Sequence, residues 1–136
     1  MIAPVLKTDR LILRPHRVED LDDVAAMWGD PDVVRFVTGN PSSRPESWGR
    51  LLRYIGHWQA LGFGYWVVEA REDGRFLGEV GFADYQRDIE PSLNNVPEAG
   101  WVLAAAAHGQ GYGREAVQRM HQWADEVKGW TETVCI

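Results

Sequence analysis

The sequence predicts an α+β domain of the mixed α/β kind, a central, largely antiparallel sheet flanked by helices. Three observations carry that expectation. Residues 20–28 and 43–61 place apolar side chains at helical spacing. Residues 65–82 change to two strand-like runs joined by a four-residue turn. Late in the chain, a glycine-rich segment leads from a strand straight into a third helical stretch. The 136 residues amount to one domain, 1–136, and a chain of this size buries roughly two thirds of its unfolded surface, so its core needs no staples.

Taken in order, Leu11–Leu13, flanked by Arg10 and Arg14 and closed by Pro15, is a short alternating strand. Asp20 is placed to cap a helix with Leu21, Val24, Ala25 and Trp28 on its apolar side, ended by Gly29 and Pro31. A Gly-, Asn-, Pro- and Ser-rich loop, 38–45, follows. Ser43 and Glu46 have capping-box spacing and open a second helix whose stripe is Trp48, Leu51, Leu52, Ile55 and Trp58, ended by Gly62 and Gly64. The strands 65–69 and 75–82 read as a hairpin around Arg71-Glu72-Asp73-Gly74. A polar loop spans 84–97, and 98–103 is the next strand. The third helix carries Ala116, Val117, Met120, Trp123, Ala124 and Val127 on one side and ends at Lys128 and Gly129. Residues 131–136 read as a last, apolar strand, with Cys135 a small buried filler.

Composition narrows the function. Apolar residues are 45% and charged residues 25% of the chain, a folded mix. Fourteen Lys and Arg against twenty Asp and Glu leave a net charge of -6. That argues against nucleic acid or an anionic membrane as partner and leans toward a cationic one. The single cysteine excludes an internal disulfide and any multi-cysteine zinc site. His16, His57, His108 and His121 show no ligand spacing, so no metal is expected. No apolar run approaches the ~20 residues of a membrane span, and 1–14 lacks a signal-peptide core. A cytoplasmic protein is expected. Of the seven tryptophans, Trp48, Trp58 and Trp123 read as core, while Trp28 and Trp66 are candidates to line a pocket. Arg44, Arg50 and Arg53 read as a solvated helix face with an option on an acidic ligand.

The segment with chemistry is Gly109-Gln110-Gly111-Tyr112-Gly113. Between a strand and a helix it leaves unpaired backbone N–H groups at the positive end of the helix dipole, and its glycines admit close approach by a ligand. That suits phosphate or pyrophosphate. The same spacing also suits a plain tight turn. It is neither a Walker A loop, for no Gly-Lys-Ser/Thr follows, nor a dinucleotide fingerprint, whose third glycine would fall on Arg114 or Ala116.

His108-Gly109-Gln110-Gly111-Tyr112-Gly113-Arg114-Glu115-Ala116 resembles the pyrophosphate loop of the GNAT N-acetyltransferases, with His108 where that family carries Gln or Arg. Thr8-Asp9-Arg10-Leu11-Ile12-Leu13-Arg14 resembles the opening strand of the ribosomal-protein N-terminal acetyltransferase (RimJ/RimL-like) branch. Phe76-Leu77-Gly78-Glu79-Val80-Gly81-Phe82 is similar to its third strand, and Glu98-Ala99-Gly100-Trp101-Val102-Leu103 to its fourth. The resemblance implies the GNAT acyl-CoA N-acyltransferase fold, with acetyl-CoA as cosubstrate and no metal. It implies that pantetheine lies along Trp101, Val102 and Leu103, and that the pyrophosphate meets His108, Gly109, Gln110, Gly111, Tyr112, Gly113 and Arg114. Acetyl would pass to a primary amine, a protein N-terminus or a small molecule, by direct attack. Glu98 is the candidate base, with Glu79, which alternation puts toward solvent, and Asp84 behind it. The resemblance also implies a helix and a closing hairpin past the fifth strand, including a Tyr or Ser proton donor. The sequence stops at Ile136 before them. The expectation is a truncated domain, or a homodimer that covers the apolar edge strand. The alternatives are a non-catalytic CoA-binding or dimerising module and an inactive fragment of a longer acetyltransferase.

Overall fold

The computed structural model describes residues 2–90, 92 and 96–135. Its sheet has five antiparallel strands in the order β1 Leu6–Lys7, β2 Leu11–Arg14, β3 Tyr65–Ala70, β4 Phe76–Ala83 and β5 Glu98–Leu103. The helices are α1 Leu21–Trp28, α2 Pro31–Val34, α3 Arg44–Leu61 and α4 Tyr112–Trp123. The α+β class and the hairpin at 71–74 stand as expected. The two-residue β1 was not anticipated, for two residues carry no periodicity.

Alternation along the strands sorts the core into two layers. Leu11, Leu13, Trp66, Val68, Val80, Phe82 and Ala99 pack on one face with Ala116, Met120 and Trp123 of α4. Trp58, Trp66 and Trp123 meet there edge to face, with centroids 5.0 to 5.5 Å apart. Such pairs add about 1 kcal/mol each beyond the area they bury. Trp66 is therefore core and fully buried. On the opposite face, Val102 of β5 packs with Val24, Met27, Trp28, Val33 and Val34 of α1 and α2.

Several local expectations are corrected. Pro31 does not simply stop a helix. It occupies the first turn of α2, capped by the Asp30 carboxylate, which accepts from the Asp32 N–H at 2.9 Å. Asp20 stands at the start of α1, but its carboxylate accepts from the Arg17 N–H and from the Arg14 guanidinium instead of capping that helix. Burial works against the Asp20 charge, and these hydrogen bonds outweigh it and hold its pKa below the usual carboxylate value.

The Ser43–Glu46 capping box is present in both directions. The buried face of α3, however, is Ser47, Leu51, Tyr54 and Trp58, while Trp48, Leu52 and Ile55 are exposed. The helix is rotated from its apparent stripe because Tyr54 has a ring to stack on, Tyr65, at 4.6 Å.

The last predicted strand is reduced to one parallel bridge. Val134 pairs beside Glu98, accepting from the Ala99 N–H at 2.7 Å and donating to the Pro97 carbonyl at 3.0 Å. Cys135 is exposed, and Ile136 lies outside the described residues. Between α4 and this bridge the helix widens into a π turn, Ala124–Lys128, closed by a bond from the Gly129 N–H to the Ala124 carbonyl. The described part of 84–97 holds no helix or strand, and residues 91 and 93–95 lie outside the described residues. Among the described residues, no helix is long and apolar enough to cross a membrane.

Candidate active site

β5 is the edge strand of the sheet, and hydrogen bonding along it alternates. The Ala104 N–H donates to Leu77 of β4, so the backbone groups of Val102 and Gly100 face inward to the ladder. The Ala99 N–H donates outward to Val134, so Trp101 and Leu103 present theirs to the open side. The Val134 bridge touches only the start of β5. Of the three strand residues expected along the cosubstrate, Trp101 and Leu103 thus offer backbone groups at the edge, and Val102 does not. The Leu103 carbonyl is met by His108 Nε2 at 2.9 Å, which turns the imidazole back onto the strand end.

The glycine loop follows at once. Gly109 and Gly111 have φ of +74° and +78°, the left-handed region that favours glycine. Gly111 is the residue before α4, so the N–H groups of Tyr112, Gly113 and Arg114 have no partner inside the helix and point out of its positive end. At Gly113 a Cβ would stand 3.3 Å from Leu103 Cδ1, a tight approach that asks the leucine to give by a few tenths of an ångström. The loop is braced by residues from the other end of the chain. Arg10 Nε donates to Glu115 at 2.7 Å, Arg10 Nη1 donates to the Gln110 carbonyl at 2.9 Å, and the guanidinium lies 4.5 Å from the centre of the Tyr112 ring. The Thr8 hydroxyl and the Arg10 N–H both donate to the second Glu115 oxygen. Burial opposes the Glu115 charge, but the bonds from Thr8 and Arg10 prevail and hold its pKa below 4.5. Thr8-Asp9-Arg10 is thus a turn before β2 and a clamp on the loop, not part of the opening strand. The sequence held the clue in Arg10 and Glu115, but nothing in their spacing paired them across the chain.

On the other side of β5 is a cavity of about 600 Å³. Glu98, Ala99, Gly100, Trp101 and Val102 form its strand wall. Trp28 of α1, Phe36, Val37 and Thr38 after α2, Arg50, Arg53 and Tyr54 of α3, Tyr65 of β3, and Tyr85 and Arg87 of the loop after β4 line the rest. Cys135 also reaches this wall. Glu98 is buried, and both its oxygens accept from Arg87, at 2.9 and 2.8 Å. The bond from Glu98 raises the Arg87 pKa and keeps that guanidinium charged. Burial pushes the Tyr54 and Tyr65 phenols well up, so both stay neutral. Gly100 makes room for Tyr65, since a Cβ there would overlap the phenol oxygen.

Glu79 does not face solvent. It is fully buried on β4, where it accepts from Trp28 Nε1 at 2.7 Å and lies 2.5 Å from His16 Nε2. It therefore fixes the indole that forms one cavity wall. Asp84 accepts from the Gln86 backbone and side chain and lines no part of the cavity. Sequence reasoning did not anticipate the tyrosine set, Arg87, or the His16–Glu79–Trp28 chain. The members of each are far apart in sequence and have no common motif.

Comparison with known proteins supplies the family. Residues 10–136 match the family model described as an acetyltransferase (GNAT) domain. A GnaT-family acetyltransferase structure from Bordetella pertussis superposes with a TM-score of 0.83 at 30% identity, covering 98% of this chain and 78% of that one. YkkB of Bacillus subtilis is 28% identical over 120 residues, 83% of this chain and 63% of its own length, so the chain spans less than two thirds of that relative. The ribosomal L7/L12 α-N-protein acetyltransferase RimL, solved with coenzyme A, shares the fold, with a TM-score of 0.68 at 17% identity over 91% of this chain and 70% of that one. A family model that runs from Arg10 through the loop clamp, the open edge and the cavity wall makes this chain a member of the GNAT acetyltransferase family.

Proposed function

We propose that the protein moves acetyl from acetyl-CoA to a primary amine by direct attack. The observation that carries the reading is the open edge of β5, with the glycine loop at one end and a cavity containing a buried carboxylate at the other. The residues present suit such a cosubstrate. Tyr112, Gly113 and Arg114 offer free backbone N–H groups for a pyrophosphate, and beyond its own chain neighbours no atom lies within 4 Å of where a Gly109 Cβ would stand. The outward N–H and C=O of Trp101 can pair with an amide chain laid along the strand, as in strand addition. The GNAT family's use of acetyl-CoA, and the coenzyme A held by RimL, support this assignment. A bound acetyl-CoA supplies an electrophilic thioester carbonyl.

The protein's part is to place and deprotonate the amine. A lysine ammonium has a reference pKa of about 10.4 and an α-ammonium about 8, so both need a base near neutral pH. Glu98 stands where the cavity meets β5 and fills that role. Each oxygen uses one lone pair on Arg87 and retains another for an ammonium or a bridging water. Glu98 takes the ammonium proton and passes it to solvent; the N–C bond then forms as the C–S bond breaks, and the second proton shed by nitrogen reaches the departing sulfur through Glu98 and water. The acceptor is a protein N-terminus, as the ribosomal-protein acetyltransferases among the structural neighbours suggest, or a small amine.

Calorimetry with acetyl-CoA and thiol release with an amine panel test this reading. Saturable binding and turnover are expected, and absence of acetyl-CoA binding overturns it. A second reading is favoured by the Arg87–Glu98 pair itself. If Arg87 keeps the amine and water from the remaining Glu98 lone pairs, the chain is a CoA-binding module without turnover, and binding with no thiol release would show it.

A further inference from the structure

The charge of the whole chain, -6, and the charge of the cavity wall point in opposite directions. Three guanidinium groups, Arg50, Arg53 and Arg87, face one carboxylate, Glu98. Arg87 is spent on Glu98. Arg50 lies 3.7 Å from the centre of the Trp28 ring and donates to Ser42 Oγ at 3.3 Å. Arg53 sits 5.6 Å from the ring centres of both Tyr54 and Tyr85. Neither Arg50 nor Arg53 is in an ion pair with a carboxylate among the described residues. Glu46, a turn before Arg50 on α3, uses its carboxylate on the Ser43 cap. Glu79 lies behind Trp28, engaged by that indole and by His16. Among the described residues the wall therefore carries two cations without an ion-pair partner, each held against aromatic rings, although Arg50 still feels the Glu46 charge a turn away.

We infer that this cavity takes a primary amine that also carries an anionic group, a carboxylate or a phosphate, held by Arg50 and Arg53. Guanidinium forks match both anions in a bidentate manner. The same two charges disfavour an ammonium nearby, which helps the attacking amine stay neutral. They also repel a polyamine, so the cationic acceptor that net charge suggests is the wrong class for this site. A volume of about 600 Å³ suits a small molecule or the first residues of a peptide. What becomes of the amine rests on the acyl-transfer reading above. Recognition of the anion does not.

The test is equilibrium binding of matched amidated dipeptides to the full chain without acetyl-CoA: Ser-Asp, Ser-Asn, Ser-Lys and Ser-phosphoserine, followed by tryptophan fluorescence and calorimetry. The expected result is at least tenfold tighter binding of Ser-Asp or Ser-phosphoserine than of Ser-Asn, with Ser-Lys weakest. Which of the two acidic probes binds tighter separates carboxylate from phosphate recognition. Arg50→Gln and Arg53→Gln should each cut the acidic-to-neutral ratio at least fivefold. Arg44→Gln, on the same helix but paired with Asp22 outside the cavity, should leave it unchanged. Thermal melts of each variant show whether a lost ratio reflects lost folding, and Arg53→Lys should recover part of the preference. Equal or tighter binding of Ser-Asn or Ser-Lys, or a ratio unmoved by both arginine variants, overturns the inference. Failure of acetyl-CoA to bind would overturn acyl transfer and leave this charge preference standing.

Discussion

The two ends of β5 are built by different means. Beyond Leu103 the surface on offer is backbone: the N–H groups of the glycine loop and of the first turn of α4, braced from behind by Thr8 and Arg10. At Glu98 and Gly100 the surface is side chains, brought from α1, α3, β3 and the loop after β4. A backbone site tolerates changes of side chain but not an added Cβ or a lost brace. A side-chain site does the reverse. Under the proposed acetyl transfer that asymmetry fits one constant ligand at the first end and a selected one at the second.

The largest effect should come from the cavity side alone. Glu79→Ala leaves Trp28 Nε1 and His16 Nε2 buried without their partner and should cost about 3 kcal/mol in urea unfolding. Acetyl-CoA affinity should stay within about twofold if the two ends are independent. A large loss there would break the comparison. Next, Glu98→Gln should lower kcat by about a hundredfold and shift the pH profile alkaline. An unchanged profile removes Glu98 from the base role.

On the loop side, Gly111→Val forces a β-branched residue to φ +78°, which costs about 2 kcal/mol locally. It should weaken acetyl-CoA in calorimetry by at least tenfold, with the dipeptide preference intact. Arg10→Ala removes the brace but no ligand contact, so a smaller loss, about fivefold, is expected.

The smallest effect is the pH response of that brace. The Glu115 pKa is held below its unfolded value. Its contribution is therefore complete above about pH 4.5 and is lost as pH falls through the lower folded value. Protection factors of the Glu115 amide, bonded to the Gly111 carbonyl, and of the next amides of α4, taken relative to the slower intrinsic exchange in acid, should fall on acidification from pH 5 toward 3, and Glu115→Gln should flatten that response. Unchanged protection in the wild type would mean that the loop needs no brace.

Much of the fold was legible from local signals. The capping box at Ser43 and Glu46, the hairpin glycine at 74 and the boundaries of β5 depend on residues a few positions apart, and local chemistry settles them. The glycine loop was legible for the same reason, since a left-handed φ and a helix start are properties of one short segment. The stripe of α3 was misread because Trp48, Leu52 and Ile55 keep helical spacing, whereas burial went to Tyr54, which had Tyr65 to stack on. Likewise, alternation placed Glu79 in water, but His16 and Trp28, 63 and 51 residues away, made its burial affordable.

By itself, then, the sequence determined the order of the longer strands and helices, the glycine loop before α4 and the family to which they point. The tertiary structure alone decided which carboxylates are engaged, that Trp66 is core while Trp28 is wall, and that an acidic chain carries a cationic cavity. The physical reason is that net charge and periodicity sum or average along the chain. A site depends on which few charges and rings converge in space, and here those come from elements that share no local pattern.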